Sequence, residues 1–182
     1  KAKELFEYII THHGMFISKQ QIMDALWSEQ DEKTADRDFK VALNALHSAL
    51  EPGRKARMKP FFIKRSGNSY GLNSDSGYKL DTIEFEQCVL IGLEEKDQVQ
   101  AKAFLEKGLK LYKGEYMPQR LYEEWCNHER ERLQLIFLRG AEKLAQLSLS
   151  MNNINSAIHW CDVILKKDKT WEEAYRLLMY CY

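Results

Sequence analysis

Proline is scarce in this chain, with three in 182 residues, and no stretch is low in complexity. Those absences exclude a polyproline linker or a disordered tail as the main body, and point to an ordinary folded globular protein. No apolar run approaches the roughly 20 residues that a membrane-spanning helix needs, and the first residues from Lys1 do not form a secretory leader, so a cytoplasmic protein is expected. The four cysteines, Cys88, Cys126, Cys161 and Cys181, stand far apart with no C-x-x-C pair. That spacing argues against a disulfide framework or a zinc site and for buried free thiols. Catalytic signatures are missing too: the sequence has no glycine-rich phosphate loop, no G-x-S-x-G and no H-E-x-x-H. His12 and His13 are adjacent and would point about 100° apart on a helix, which makes them poor metal partners. His128 beside Cys126 and His159 beside Cys161 are each two residues apart, so each pair falls on different helix faces. No enzyme activity, metal or cofactor is expected.

An excess of one charge is also absent, since 27 basic residues balance 27 acidic ones. The total hides an uneven distribution. Between Lys33 and Arg65 nine basic residues (Lys33, Arg37, Lys40, Arg54, Lys55, Arg57, Lys59, Lys64, Arg65) face three acidic ones (Asp36, Asp38, Glu51), a local net of +6. A basic patch on a neutral chain is the electrostatic footprint of a nucleic-acid face. A solvated charged helix beside a basic loop is the alternative reading of the same residues.

Within this stretch Phe39, Leu43, Leu46 and Leu50 recur at helical spacing, with Ala35 and Ala42 on the same arc. Half a turn away, Arg37, Val41, Asn44 and Ser48 form a second stripe, flanked by Lys40 and His47. Arginine can fork onto guanine, asparagine onto adenine, and valine can meet a thymine methyl, so this stripe is suited to reading bases in a major groove. Upstream, Leu5, Tyr8, Ile9 and His12 predict a short amphipathic helix that stops at Gly14. A second helix opens on Ser18, with Gln21 as its reciprocal capping partner and Ile17 stapling against Ile22. Ile22, Ala25 and Leu26 face inward and Trp27 ends it. A polar, acidic connection, Ser28 to Lys33, leads into the longer helix, which Glu51, Pro52 and Gly53 terminate. After the basic loop, Phe61, Phe62 and Ile63 predict a strand, Gly67 and Asn68 a tight turn, and Tyr70 to Leu72 a return strand. Lys64, Arg65 and Asn68 are expected at the hairpin tip, where a wing meets the phosphate backbone or the adjacent minor groove. A plain surface hairpin is the other reading.

Ser74, Asp75, Ser76 and Gly77 predict a hinge over residues 74–80, and everything after Asp81 has a helical period. Residues 74–182 carry 15 basic and 18 acidic residues, with no comparable basic stripe. Ala101, Leu105 and Gly108 match Ala157, Cys161 and Ile164 in the register of a tetratricopeptide second helix. The interval exceeds that repeat's usual length of about 34, so an insertion over Tyr112 to Arg132 is expected. A long helix from about Tyr122 to Met151 follows, with Leu133, Phe137, Gly140, Leu144, Leu147 and Met151 as a core stripe and Gly140 at a tight crossing. Trp160, Trp171 and Tyr175 read as core aromatics or as the lining of a groove. The last helix, Trp171 to Tyr182, has no successor in the sequence, so the solenoid is expected to be truncated.

In their order along the chain, Lys1 to Leu5, Ile17 to Trp27, Phe39 to Leu50 with Glu51-Pro52-Gly53, and Tyr70-Gly71-Leu72 resemble the OmpR/PhoB-type winged-helix effector domain. With Leu111-Tyr112-Lys113-Gly114, Trp125, Glu129 to Leu133 and Glu172 to Met179 added, the chain resembles the Streptomyces antibiotic regulatory protein family. The resemblance implies a mainly α fold: a winged helix-turn-helix with a β-hairpin wing over residues 1–73, then a bacterial transcriptional activation domain of tetratricopeptide-like helices over 81–182. It also implies a small N-terminal sheet before the first helix, and the residues from Lys1 are expected to begin inside that helix. Family members carry late recognition-helix arginines where this chain has Ala45, His47 and Ser48, and a second wing glycine where it has Ser69. The implied function is signal-responsive activation of transcription, by binding double-stranded promoter DNA at repeats and contacting RNA polymerase. Trp27, Ser28, Glu29 and Asp31 are the expected polymerase or partner surface, and a homodimer or side-by-side assembly on DNA the expected oligomer. The alternative is a protein-interaction adaptor that uses only the repeat helices and does not bind DNA.

Overall fold

The computed structural model describes residues 1–55 and 58–182; Arg57 of the basic stretch lies outside them. The chain is mainly helical with one small antiparallel sheet, and it divides into two compact units. One comprises residues 1–78 with 124–126, the other residues 79–123 with 127–182.

The first unit contains α1 (Ala2–Thr11), α2 (Lys19–Leu26) and α3 (Glu32–Leu50), with strands β1 (Ile17–Ser18), β2 (Ile63–Ser66) and β3 (Ser69–Leu72). Ser18 opens α2 with a complete capping box: its hydroxyl accepts from the Gln21 N–H while the Gln21 side chain accepts from the Ser18 N–H at 3.1 Å. Such a cap contributes about 1 kcal/mol. Ile17 and Ile22 are both buried, as a staple requires; Met23 is buried as well, and Ala25 is partly buried against the same core. Leu5, Ile9, Ile22, Phe39 and Ile63 are almost fully enclosed, and Trp27 and Tyr70 meet the Phe39 ring edge-on at 6.2 and 5.1 Å. Each of these side chains contributes roughly 1.5–3 kcal/mol through burial. Trp125 belongs to this unit as well, with its ring 5.4 Å from that of Tyr8.

The sheet departs from the two-stranded expectation. Its order is β1-β3-β2, all antiparallel, with Ile17 opposite Tyr70 and Ile63 opposite Leu72. Phe61 and Phe62 are not in a strand, because the Glu51 carboxylate at the end of α3 takes their N–H groups at 2.8 and 3.3 Å. Pairing with β3 therefore begins at Ile63. Gly71 sits where the chain before β1 crosses the sheet; a Cβ there would lie 2.5 Å from the Met15 carbonyl oxygen. Residues 74–76 form a 3₁₀ turn, with the buried Asn73 side chain accepting from the Asp75 N–H and the Asn73 N–H donating to the Phe62 carbonyl.

The second unit contains α4 (Asp81–Glu94), α5 (Gln98–Leu111), α6 (Asn127–Ser150), α7 (Ile154–Lys167) and α8 (Glu172–Cys181). α4 packs on α5, α6 on α7, and α8 on α7. Ala101, Leu105, Gly108, Ala157, Cys161 and Ile164 are all buried, as are Leu133, Phe137, Gly140, Leu144 and Leu147 of the long stripe; Met151 lies beyond the helix and is only partly covered. Val89 of α4 locks the crossing: one methyl would be 2.9 Å from a Cβ on Gly108 and the other 2.9 Å from a Cβ on Gly140. α6 starts later than Tyr122. Pro118 opens a 3₁₀ turn after Met117, which has a left-handed backbone, and a second 3₁₀ turn covers Glu124–Cys126. Arg130 holds the preceding loop by donating to the carbonyls of Tyr116 and Arg120 and to the Asn127 side chain. Arg132 forks onto Glu86 and Glu129, tying α6 to α4. The Trp171 indole N–H donates to Glu142 at 2.7 Å, and the ring is partly buried against the core of this unit. Cys88, Cys126 and Cys161 are buried and Cys181 is partly exposed, and none of the four is in a disulfide; burial pushes the Cys161 thiol up to about 11. Among the described residues no helix is long and apolar enough to cross a membrane, and no cluster of His, Cys, Asp or Glu could hold a metal ion.

Candidate nucleic-acid interface

Asp31 caps α3, its carboxylate accepting from the N–H groups of Lys33 and Thr34 and from the Thr34 hydroxyl. The Thr34 hydroxyl first, then the backbone donors, hold that carboxyl below its ordinary value. From this start the helix turns Ala35, Phe39, Ala42 and Leu46 into the core, with Leu43 and Leu50 partly covered. Arg37, Val41, Asn44 and Ser48 are all exposed on one stripe, and even the apolar Val41 is 63% exposed.

The cations around that stripe are close to one another. Burial lowers the Lys19 ammonium pKa, and the positive charges of Lys40 and Arg65 push it further in the same direction. Asp36 lies between Lys19 and Lys40 and bridges both, the latter at 2.6 Å. Arg37 pairs with Asp38 at 2.9 Å and Lys64 with Asp75 at 2.8 Å. Arg65 donates to the Gly67 carbonyl at 2.7 Å and lies over the Tyr70 ring. Exposed pairs of this kind contribute about 0–1 kcal/mol each, little enough for an incoming phosphate to exchange with the carboxylate. Lys19 was not singled out from the sequence, since it looks like an ordinary first-turn residue after the Ser18 cap; its place depends on Asn68, whose carbonyl accepts the Lys19 N–H at 2.8 Å.

Four residues depart from their expected positions. Lys64 and Arg65 are paired within β2, opposite Gly71 and Tyr70, and the tip itself is Gly67 with Asn68. His47 is 6% exposed and does not flank the outer stripe: four residues after Leu43, it shares that residue's inward arc. Burial and the Arg54 charge hold its imidazole below the ordinary value, against an opposing pull from Glu51. Trp27 is 4% exposed beneath Lys1 and against Phe39, so it offers no partner surface. Ser28 and Glu29 are exposed, while Asp31 is occupied as a cap.

A comparison with curated proteins returned no match. No OmpR/PhoB-type domain was matched in the chain. Residues 80–182, more than half of the sequence and spanning all five α-helices described in the second unit, match the bacterial transcriptional activator domain. The chain therefore belongs to the bacterial transcriptional activator domain family.

Proposed function

We propose that this protein is a sequence-specific regulator of the activator type that binds double-stranded promoter DNA in the bacterial cytoplasm. The first unit acts as a winged helix, with α3 in the major groove and the β2–β3 hairpin against the backbone. Arg37, Val41, Asn44 and Ser48 read base edges; Lys40, Lys64, Arg65 and the Asn68 turn position the duplex. The activator-domain helices serve RNA polymerase contact or side-by-side assembly at repeated sites, with Ser28 and Glu29 as a further exposed contact for a partner. No cofactor is needed.

The observation that supports this reading is the coincidence on one helix of an exposed, chemically mixed stripe with cations from two other elements beside it. Salt-dependent binding to duplex DNA tests it. If Arg37, Lys40, Lys64 and Arg65 each meet a phosphate or its neighbourhood, about four counterions are released and log K falls against log salt with a slope of about −3.6. A slope near zero with partner binding retained would replace the regulator by a protein-interaction adaptor.

A further inference from the structure

A cleft of about 640 Å³ opens between α3 and β2 within the first unit. It is within the size range of roughly 300–1,000 Å³ typical of small-molecule sites. Leu43, Pro60 and Ile63 form an apolar wall, while Lys59, Lys64 and Arg65 bring three positive charges, and no carboxylate is among the described lining residues. His47 lines the same cleft, and its buried Nδ1 has no hydrogen-bond partner.

We propose that this cleft binds a small amphipathic organic anion: a flat apolar body carrying one carboxylate. The body lies on the Leu43–Ile63 wall beside the His47 ring, and the carboxylate meets the lysine and arginine donors. A bare inorganic anion would leave the apolar wall exposed to water, and a neutral hydrocarbon would leave the three cations uncompensated. The Lys64–Asp75 bridge limits affinity, because Asp75 already holds part of the charge that the ligand needs. The cleft does not depend on the DNA reading, although an occupant would cover Lys64 and Arg65 and so compete with a duplex for them.

The test uses the full chain and three probes: 2-naphthoate, the neutral 2-naphthalenemethanol and inorganic phosphate. Naphthoate is expected to bind at least about tenfold tighter than either control, the margin of a charge-assisted hydrogen bond. Binding should shift the imidazole nitrogen signals of His47, a readout that needs no variant. Leu43→Trp, which fills the cleft from a partly covered position, should abolish binding. Asp75→Asn, at an exposed position, should tighten it by about two- to fivefold. Equal binding of the alcohol or of phosphate, naphthoate binding without a change at His47 or unaffected by Leu43→Trp, or no binding at millimolar probe would each overturn the proposal.

Discussion

The outer face of α3 distinguishes two kinds of residue by what each can offer a duplex. Asn44 and Arg37 carry forked donors and acceptors that match one base better than another, whereas Lys64 offers a point charge from a strand. Replacing Asn44 or Arg37 by alanine is expected to cost about 1–3 kcal/mol on the preferred site and to relax preference at one base pair. Lys64→Ala should weaken all sequences alike, and a mismatch series measured for each variant separates the two outcomes. His47 has a different consequence. Its folded value lies below the ordinary 6.5 because burial, then Arg54, disfavours the imidazolium. The unfolded chain therefore takes up the proton first, so the stability that this residue contributes is complete above pH 6.5 and is lost as pH falls through the folded value. Urea midpoints should decline below pH 6.5 in the wild type and decline less in His47→Phe. Equal declines would show that other groups carry the effect.

At the scale of elements, local rules and packing rules act at different places. The capping box of α2 and the Asp31 cap of α3 are local devices, legible in the sequence because a side chain needs to reach only two or three residues. The crossing of α4 with α5 and α6 is a packing device. Alanine at Gly108 would gain about 1 kcal/mol of helix propensity. Its methyl would meet Val89, the Cys88 Cβ and the Phe85 carbonyl at 2.9–3.2 Å, and Val89 cannot rotate away because its other methyl occupies the notch at Gly140. Overpacking of about 1–3 kcal/mol outweighs the gain, so Gly108→Ala should lower the urea midpoint of the second unit. An unchanged or raised midpoint would mean that the helices can separate at no cost.

At the scale of the whole molecule, the first unit is not confined to the first 78 residues. Trp125, from a segment 47 residues beyond Tyr78, packs on Tyr8, and the unit includes residues 124–126. Trp125→Ala is expected to destabilise the first unit by less than the roughly 3–5 kcal/mol of a fully enclosed tryptophan, since the ring is only partly buried. Fluorescence-monitored unfolding of the full chain checks this, and a midpoint equal to wild type would exclude Trp125 from the core. Much of the fold was legible residue by residue. Helical period placed α1, α2 and α3 within a few residues, Gly140 announced a close crossing, and the exposed stripe of Arg37, Val41, Asn44 and Ser48 followed from counting around one helix. These features depend on neighbours three or four positions apart, which any reader of the chain can see. Other features depend on partners that only folding brings together. β1 exists because Tyr70 returns to pair with Ile17, Phe61 and Phe62 leave the strand because Glu51 takes their N–H groups, and Trp27 is withdrawn from the surface by the Phe39 ring and Lys1 that cover it. Sequence alone determined the faces of single helices, because those are set by backbone geometry. Tertiary structure decided which face meets solvent and where each charge finds its partner, because burial and pairing are properties of segments that are distant along the chain.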